Sequence, residues 1–448
     1  MMTYTFEERD EYKRKNIAIN INKLISSAID ISPIVIDGDW GTGKTELCLK
    51  LQNFFTSDDL KYKVIYIDAF KEDYSDDPLL TITAAIAAVL PPKEKNALIS
   101  KAIPAMKFGI KTVLKAGSGW LLRQNFDQVS EEFKEAFKQT SDAAIDSTIE
   151  SLINEHIELE GNLKALKDKI KQIATKSKIV IIIDELDRCR PSFSVNVLEK
   201  IKHIFNIENV YFILATNKSQ LQASVNHIYG SAINSKQYLD KFIKYTVSLP
   251  TSHSDSLNKL TQNSLKHWEF LCNNNEILNE VNVAYNKHII DILKIKPLTL
   301  RETETFARHL QVYQILAGES AIKNKTHLSL VVTRLLAIYL NCFSENIRNI
   351  DHLDKEMVMI VTKSINFESF DIDLSRSSDH PLYFMALYGI MKEKNIDYSA
   401  FIKKGPDQQK TIKFLEDKYE RMAFSDFSTF SFSVTLVKAY NILSFQRN

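Results

Sequence analysis

Gly38 to Thr45 read GDWGTGKT, a run that sets two glycines, a lysine and a threonine at the spacing G-x-x-x-x-G-K-[S/T]. The chemistry served by that spacing is phosphate binding. Glycines let successive backbone N–H groups turn onto phosphate oxygens, Lys44 brings a cation to the β- and γ-phosphates, and the Thr45 hydroxyl is placed to ligate Mg2+. Gly38, Asp39, Trp40, Gly41, Thr42, Gly43 and Glu46 are the other expected contacts of a bound nucleotide. A second chemical pair, Asp184 and Glu185, follows five consecutive β-branched residues, Ile179 to Ile183. Asp184 is expected to hold Mg2+, directly or through water, and Glu185 to be the base that orients an attacking water. Asn217, just after the apolar run Val210 to Thr216, is the expected polar sensor of a γ-phosphate.

These groups act together only if the chain brings them to one edge of a sheet. Ile31 to Ile36 is a short apolar run of the kind that forms a buried strand. After the glycine loop, Leu47, Leu51, Phe54 and Phe55 recur at helical spacing, which predicts an amphipathic helix over Lys44 to Phe55. Strand, loop and helix in that order put phosphates at a helix N-terminus, where free N–H groups and the dipole favour anions. Val64 to Asp68, Ile179 to Ile183, Val210 to Thr216 and Lys244 to Leu249 supply four more strands. Their carboxyl ends are where ligands bind in open α/β sheets. The expected fold is therefore α/β: a P-loop core with a parallel sheet flanked by helices, followed by an all-helical lid and a C-terminal helical domain. The additional strand favours hydrolysis over phosphoryl transfer to a small acceptor.

At 448 residues the chain outgrows one compact core, and about two or three domains are expected. A net charge of +1 gives no support to a global attraction to nucleic acid or an anionic membrane. Cys48, Cys189, Cys272 and Cys342 form no C-x-x-C pair, so neither a zinc site nor a disulfide framework is expected and a reducing cytoplasm fits. The opening residues, MMTYTFEERDEYKRKN, are charged and lack the apolar core of a signal peptide.

GDWGTGKT with Trp40 inside it, DAFKEDYSDDPLL (Asp68 to Leu80) and IIIDELDRCRP (Ile181 to Pro191) together resemble the KAP family of P-loop NTPases. YLDKFIKYTVSLP (Tyr238 to Pro250) resembles that family's segment after the sensor strand. LTLRETETFARHL (Leu298 to Leu310) resembles its arginine-bearing helix in a small helical subdomain. The resemblance covers residues 15–315 or so. It implies that Asp187 and Arg188 line the site, and that Arg301 approaches the γ-phosphate of a bound or neighbouring nucleotide. Arginine suits that task because its planar fork stays charged. The residues themselves leave open a structural pair of Arg188 with Asp187 and an exposed pair of Arg301 with Glu304. Cys189 reads as a packed small residue. Asp184-Glu185 stands where the family commonly has two aspartates, which keeps the carboxylate. Phe70 stands where a tryptophan is usual, a change expected to affect packing only.

Many members of that family carry membrane helices between the phosphate loop and the acidic motif. Here Pro78 to Leu90 is apolar but too short to span and is stopped by Pro91 and Pro92. Lys101 to Leu122 is long enough but carries Lys107, Lys111 and Lys115, each costing about 2.5–3.5 kcal/mol at a bilayer centre. No span is expected. The same lysines recur every fourth residue opposite an apolar face, an amphipathic pattern that leaves open a membrane-surface or anionic-partner contact beside the plainer role of covering the sheet. Leu159, Leu163, Leu166, Ile170 and Ile173 step in a heptad-like rhythm for fewer than three heptads, which fits an ordinary packed helix better than a coiled coil.

Beyond Ser252 helical periodicity takes over, with helices expected at Leu257 to Phe270, Asn286 to Ile295 and Leu328 to Phe343, the last buried. The C-terminal region is rich in aromatics such as Phe367, Phe370 and Phe427. It carries no metal spacing, and His309, His352 and His380 read as lone histidines. The expected layout is a P-loop core over 1–250 with a helical insertion near 78–175, a helical lid over 251–318, and a helical domain over 319–448 that recognises a protein partner or mediates assembly. The reading as a whole is a cytoplasmic Mg2+-dependent NTPase, using ATP, that works as an oligomeric switch or motor. The resemblance points to a role in bacterial anti-phage defence. A nucleotide-binding scaffold with little hydrolysis and an ATPase stimulated by nucleic acid or a membrane surface are the other classes the residues leave open.

Overall fold

The apolar runs of the first half become one parallel sheet. The computed structural model describes residues 4–27, 29–57, 60, 62–74, 77–102, 149–254, 260–344, 354–365, 382–398, 408–423 and 431–445. These fall into two compact units, Met1–Pro250 and Thr251–Asn448. In the first, β1 (Ile34–Asp37), β2 (Lys63–Asp68), β3 (Ile179–Asp184), β4 (Val210–Thr216) and β5 (Tyr245–Ser248) are ordered β2-β3-β4-β1-β5, every neighbouring pair parallel. The strand β4 lies between the phosphate-loop strand and the acidic strand, which is the additional-strand arrangement.

Because successive strand side chains point to opposite faces, the five-residue isoleucine-rich run divides between two cores. Ile179, Ile181 and Ile183 join one cluster, with Leu79, Ile82, Leu166, Ile170, Leu198 and Leu221 from the helices on that face. Val180 and Ile182 join the other, with Ile21, Leu47, Leu51 and Phe55. A strand buried on both faces has no room for a polar alternation, and this one has none until Asp184. The helices Pro78–Ala88, Ile149–Ala174, Pro191–His203 and Lys218–Tyr229 supply the first face, and Lys15–Ser26 and Lys44–Thr56 the second. Leu166, Ile170 and Ile173 of the heptad-like helix are thus sheet-facing core, as for an ordinary packed helix. The Leu159 side chain lies outside the described residues, as does all of the basic segment Lys101 to Leu122 beyond Ala102.

The second unit begins with a hairpin where the sequence predicted helix. β6 (Ser252–Ser254) pairs antiparallel with β7 (Leu260–Gln262), and the first helix is Asn263–Asn273 rather than Leu257 to Phe270. The Asn263 N–H closes the hairpin onto the Thr251 carbonyl at 2.9 Å, a non-local bond that periodicity cannot reveal. Glu276–Leu293 starts ten residues before the predicted Asn286, because Asn275 caps it through the Leu278 N–H at 3.0 Å. Its pattern is interrupted at Tyr285, where the backbone leaves the helical region and the phenol donates to the carbonyls of Lys323 (3.0 Å) and Thr326 (2.8 Å). Leu328–Phe343 is buried along most of its length, as expected. The boundary drawn at 318 does not divide this unit: Trp268, Phe306, Leu336, Tyr388 and Leu436 share one core. Among the described residues no helix is long and apolar enough to cross a membrane. Phe367, Phe370, Phe427, His352 and His380 lie outside the described residues.

Candidate active site

The strand order collects the loops after β1, β3 and β4 at one edge. Register aligns Asp37 with Thr216 and Asp68 with Asp184, so these strands reach the edge together. The Gly38 N–H donates to the Thr216 carbonyl at 3.3 Å, and Asp37 Oδ1 accepts the Lys218 N–H at 2.9 Å. A Cβ at Gly38 would stand 2.8 Å from Thr42 Oγ1, so any larger residue there would force the Thr42 side chain off its bond to the Asp39 carbonyl. Gly41 and Gly43 hold φ of 77° and 82°, the left-handed region that turns the chain into the helix Lys44–Thr56.

Lys44 is buried and folds back across its own loop, its Nζ donating to the carbonyls of Gly38 (2.6 Å) and Asp39 (3.1 Å). Burial pushes its pKa down, opposed by the carboxylates of Asp187 and Asp184. Thr42 Oγ1 donates to the Asp39 carbonyl at 2.8 Å, and Glu46 pairs one turn on with Lys50 at 2.7 Å.

Asp184 is fully buried at the end of β3. Its carboxylate accepts from the Glu185 N–H (2.8 Å) and the Tyr66 hydroxyl (3.1 Å), with the Thr45 side chain near enough to lower its pKa. Burial raises its pKa, and those hydrogen bonds and Lys44 pull the other way. The Thr45 hydroxyl and the Asp184 carboxylate are hard oxygen ligands of the kind Mg2+ takes. Among the described residues no group of three or more His, Cys, Asp or Glu could hold a metal alone. A magnesium ion here would need phosphate oxygens to complete its shell, which fits an ion that arrives with a nucleotide.

Glu185 has a left-handed backbone, φ 59° and ψ 27°, an uncommon conformation for a residue other than glycine and one that concentrates at functional sites. Its pKa is raised, first by burial, with Arg188 opposing. Arg188 pairs with Glu185 at 2.9 Å, not with Asp187 as the sequence allowed. Asp187 instead accepts the Trp40 indole N–H at 2.6 Å, joining the apex of the phosphate loop to the acidic motif. Asn217 caps the helix Lys218–Tyr229 through the N–H groups of Ser219 (3.0 Å) and Gln220 (3.2 Å). Its amide Nδ2 donates to Asp39 Oδ1 at 3.1 Å. Cys189 is buried, as a packed residue should be. Phe70 is not a packing residue: its side chain is largely exposed, on the helix Ala69–Glu72 after β2.

Arg301 belongs to the second unit, exposed on the first turn of Leu300–Leu316. Glu304, its expected partner, is bonded to His267 at 2.9 Å. The sequence reading missed two residues that touch the site machinery, Tyr66 and Arg14. Tyr66 occupies an ordinary strand position in VIYID, and only the β2–β3 pairing sets it beside Asp184.

The family model for the KAP family P-loop domain matches residues 14–317. No curated protein matches. Among solved structures, the chain is similar to C. elegans PCH-2 at 12% identity and a TM-score of 0.25, over 93% of this chain and 71% of that one. It is similar to the Aeropyrum pernix ORC2 protein at 14% identity and a TM-score of 0.29, over 97% and 94% of the two chains. A structure described as a DNA replication initiation factor shares 15% identity at a TM-score of 0.30, over 94% and 98%. The family match spans well over half of the sequence and takes in the phosphate loop, the acidic motif and Asn217, so the chain belongs to the KAP family of P-loop NTPases.

Proposed function

We propose that this protein is a Mg2+-dependent nucleoside triphosphatase with ATP as its substrate. The observation that carries the reading is the fully buried Asp184 carboxylate at the end of β3, close enough to Thr45 and Lys44 of the phosphate loop for both to oppose the rise in its pKa. Backbone N–H groups of the loop and Lys44 hold the phosphates, and Thr45 with Asp184 would hold the metal. Bound Mg2+ supplies charge neutralisation across the β- and γ-phosphates. Glu185 takes the proton of the attacking water at its carboxylate, for which it must first release Arg188; the freed guanidinium can then meet phosphate charge. Asn217, anchored at Asp39 and at its helix, reports on the loop.

Phosphate release by wild type, Lys44→Ala and Glu185→Gln tests this. Lys44→Ala should lose nucleotide binding, whereas Glu185→Gln should bind and hydrolyse about 10²–10⁴-fold more slowly. If wild type and both variants release phosphate at one slow rate, the enzyme reading fails. The Glu185–Arg188 pair supports a second reading, a nucleotide-holding scaffold whose base stays engaged. Binding without turnover above Glu185→Gln would select it.

On the larger scale, residues 1–250 are the nucleotide core, and the second unit, with its one shared core, carries the lid (251–318) on the same body as the region for a protein partner or assembly (319–448). The working form is a cytoplasmic homo-oligomer, acting as a switch or motor in anti-phage defence, with Arg301 reaching a neighbour's nucleotide. Sedimentation with a non-hydrolysable analogue should show assembly; a chain that stays monomeric with it removes any role for Arg301 in trans.

A further inference from the structure

Arg14 stands at the head of the helix Lys15–Ser26, far in sequence from the phosphate loop, yet its side chain ends on that loop. Its Nη2 donates to the Thr42 carbonyl at 2.6 Å and its Nη1 to the Gly43 carbonyl at 3.0 Å. Arg14 is 4% exposed; its guanidinium lies over the Tyr12 ring at 4.9 Å, and its Nε is buried without a partner. Burial lowers its pKa. This is a costly way to fill space, because an apolar side chain of similar volume would pack there without desolvating a charge.

What an apolar residue could not do is hold two consecutive carbonyls. A trans peptide unit points its C=O and the next N–H in opposite directions. Fixing the carbonyls of Thr42 and Gly43 toward Arg14 therefore fixes the N–H groups of Gly43 and Lys44 away from it, toward the side on which the loop would cradle phosphate. Gly43 is left-handed and without a side chain, and its carbonyl also accepts the Leu47 N–H of the following helix at 3.2 Å, so Arg14 adds a charged donor there and ties the preceding Thr42 carbonyl to the same fork. Arg14 is held in turn. Asp10 accepts the N–H groups of Arg14 (2.7 Å) and Lys15 (3.1 Å). The preceding segment is tied to the helix after the loop by Lys50 donating to the Arg9 carbonyl (2.6 Å) and Asn53 to the Tyr4 carbonyl (2.7 Å).

We propose that Arg14 is a positioning residue for the phosphate loop, setting the N–H groups of Gly43 and Lys44 for a nucleoside di- or triphosphate. This rests on the reading of the site as a nucleotide site.

The test uses the full chain with Arg14→Met and Arg14→Lys, and Asn53→Ala as a variant that loosens the same N-terminal segment without touching the loop. Affinity for ADP, steady-state KM and kcat for ATP, and nucleotide-free melting temperature are measured on each. Arg14→Met should weaken ADP binding about tenfold or more, the scale of losing charge-assisted hydrogen bonds. KM should rise in proportion while kcat stays within about threefold, since the cradle binds ground state and transition state alike. Its melting temperature should fall no further than that of Asn53→Ala. Arg14→Lys, which keeps the charge but not the fork, should fall between wild type and Arg14→Met.

Wild-type affinity in Arg14→Met, or an equal loss in Asn53→Ala, overturns the proposal. If Arg14→Met does not fold, Arg14→Lys decides: unchanged ADP affinity overturns it and a clear loss upholds it. A wild type that binds no ADP sinks the nucleotide reading itself; a wild type that binds, with Arg14→Met binding equally, sinks only this inference.

Discussion

Asp184 shows what the site costs the fold at the scale of one residue. Burial is the largest influence on its carboxyl and raises the pKa, with hydrogen bonds from Thr45, the Glu185 N–H and Tyr66 opposing it. A folded pKa above the unfolded one means that the folded protein binds the proton more tightly. The stability this gives is fully present below the ordinary carboxylate pKa and is lost as pH rises through the folded value. At neutral pH the ionised, buried group is therefore a burden until a cation joins it. Asp184→Asn should stabilise the nucleotide-free protein near neutral pH by about 0.5–2 kcal/mol, as replacements of strained functional groups do. The gap should narrow as pH is lowered from neutrality toward the ordinary carboxylate range, as wild type takes up its proton. Melting curves of both proteins across that range read it; a gap that widens in acid would reverse the sign and refute the argument. Asp184 was legible in the sequence because a carboxylate closing a run of β-branched residues stands at the strand end where parallel sheets meet their ligands. Its partner Tyr66 was not, since 118 residues separate the two and no spacing rule reaches that far. The Trp40–Asp187 bond, across 147 residues, was hidden for the same reason. The partner of Arg188 was left open between Asp187 and the site, and it is Glu185 because Leu186–Arg188 is a 3-10 turn, in which residues three apart eclipse.

At the scale of elements, the sequence carried whatever is local. All five strands of the sheet and the helix after the loop were legible to within a few residues. Their apolar runs are short and dense, and glycines bound the loop. The phosphate loop is legible in the strongest sense, because Gly41 and Gly43 hold left-handed φ where they stand, and a Cβ at Gly38 would crowd the Thr42 hydroxyl. Order within the sheet was less accessible. No strand states which neighbour it will take, and the position of β4 between β1 and β3 follows from how the crossover helices pack. The hairpin β6–β7 escaped detection because Ser252–Ser254 and Leu260–Gln262 are short and polar, with their identity as strands created by pairing. Arg14 belongs to this scale as well. Its role depends on a helix start and a loop meeting in space, and in sequence it is one basic residue within EYKRKN.

The whole molecule carries separate cores in its two units, and that separation has thermodynamic consequences. Trp268, Phe306, Leu336 and Tyr388 belong to a cluster drawn entirely from the second unit, while Leu47, Ile181 and Leu198 belong to clusters drawn entirely from the first. A ligand held by the phosphate loop should stabilise only the first. Gly389 offers the complementary perturbation. A Cβ there would meet three ring carbons of Phe432 within 3.0 Å, and Phe432 is itself buried, so the ring cannot step aside. Gly389→Ala should overpack that helix contact at a cost of about 1–3 kcal/mol. Calorimetry should then resolve two transitions. A non-hydrolysable ATP analogue at about a hundred times its Kd should raise one of them, by an amount corresponding to about 2.7 kcal/mol. Gly389→Ala should lower the other and leave analogue affinity unchanged. If the analogue and the substitution instead move one shared transition in opposite directions, the two cores unfold as a single body, and nucleotide binding at the loop is already coupled energetically to the helices that follow it.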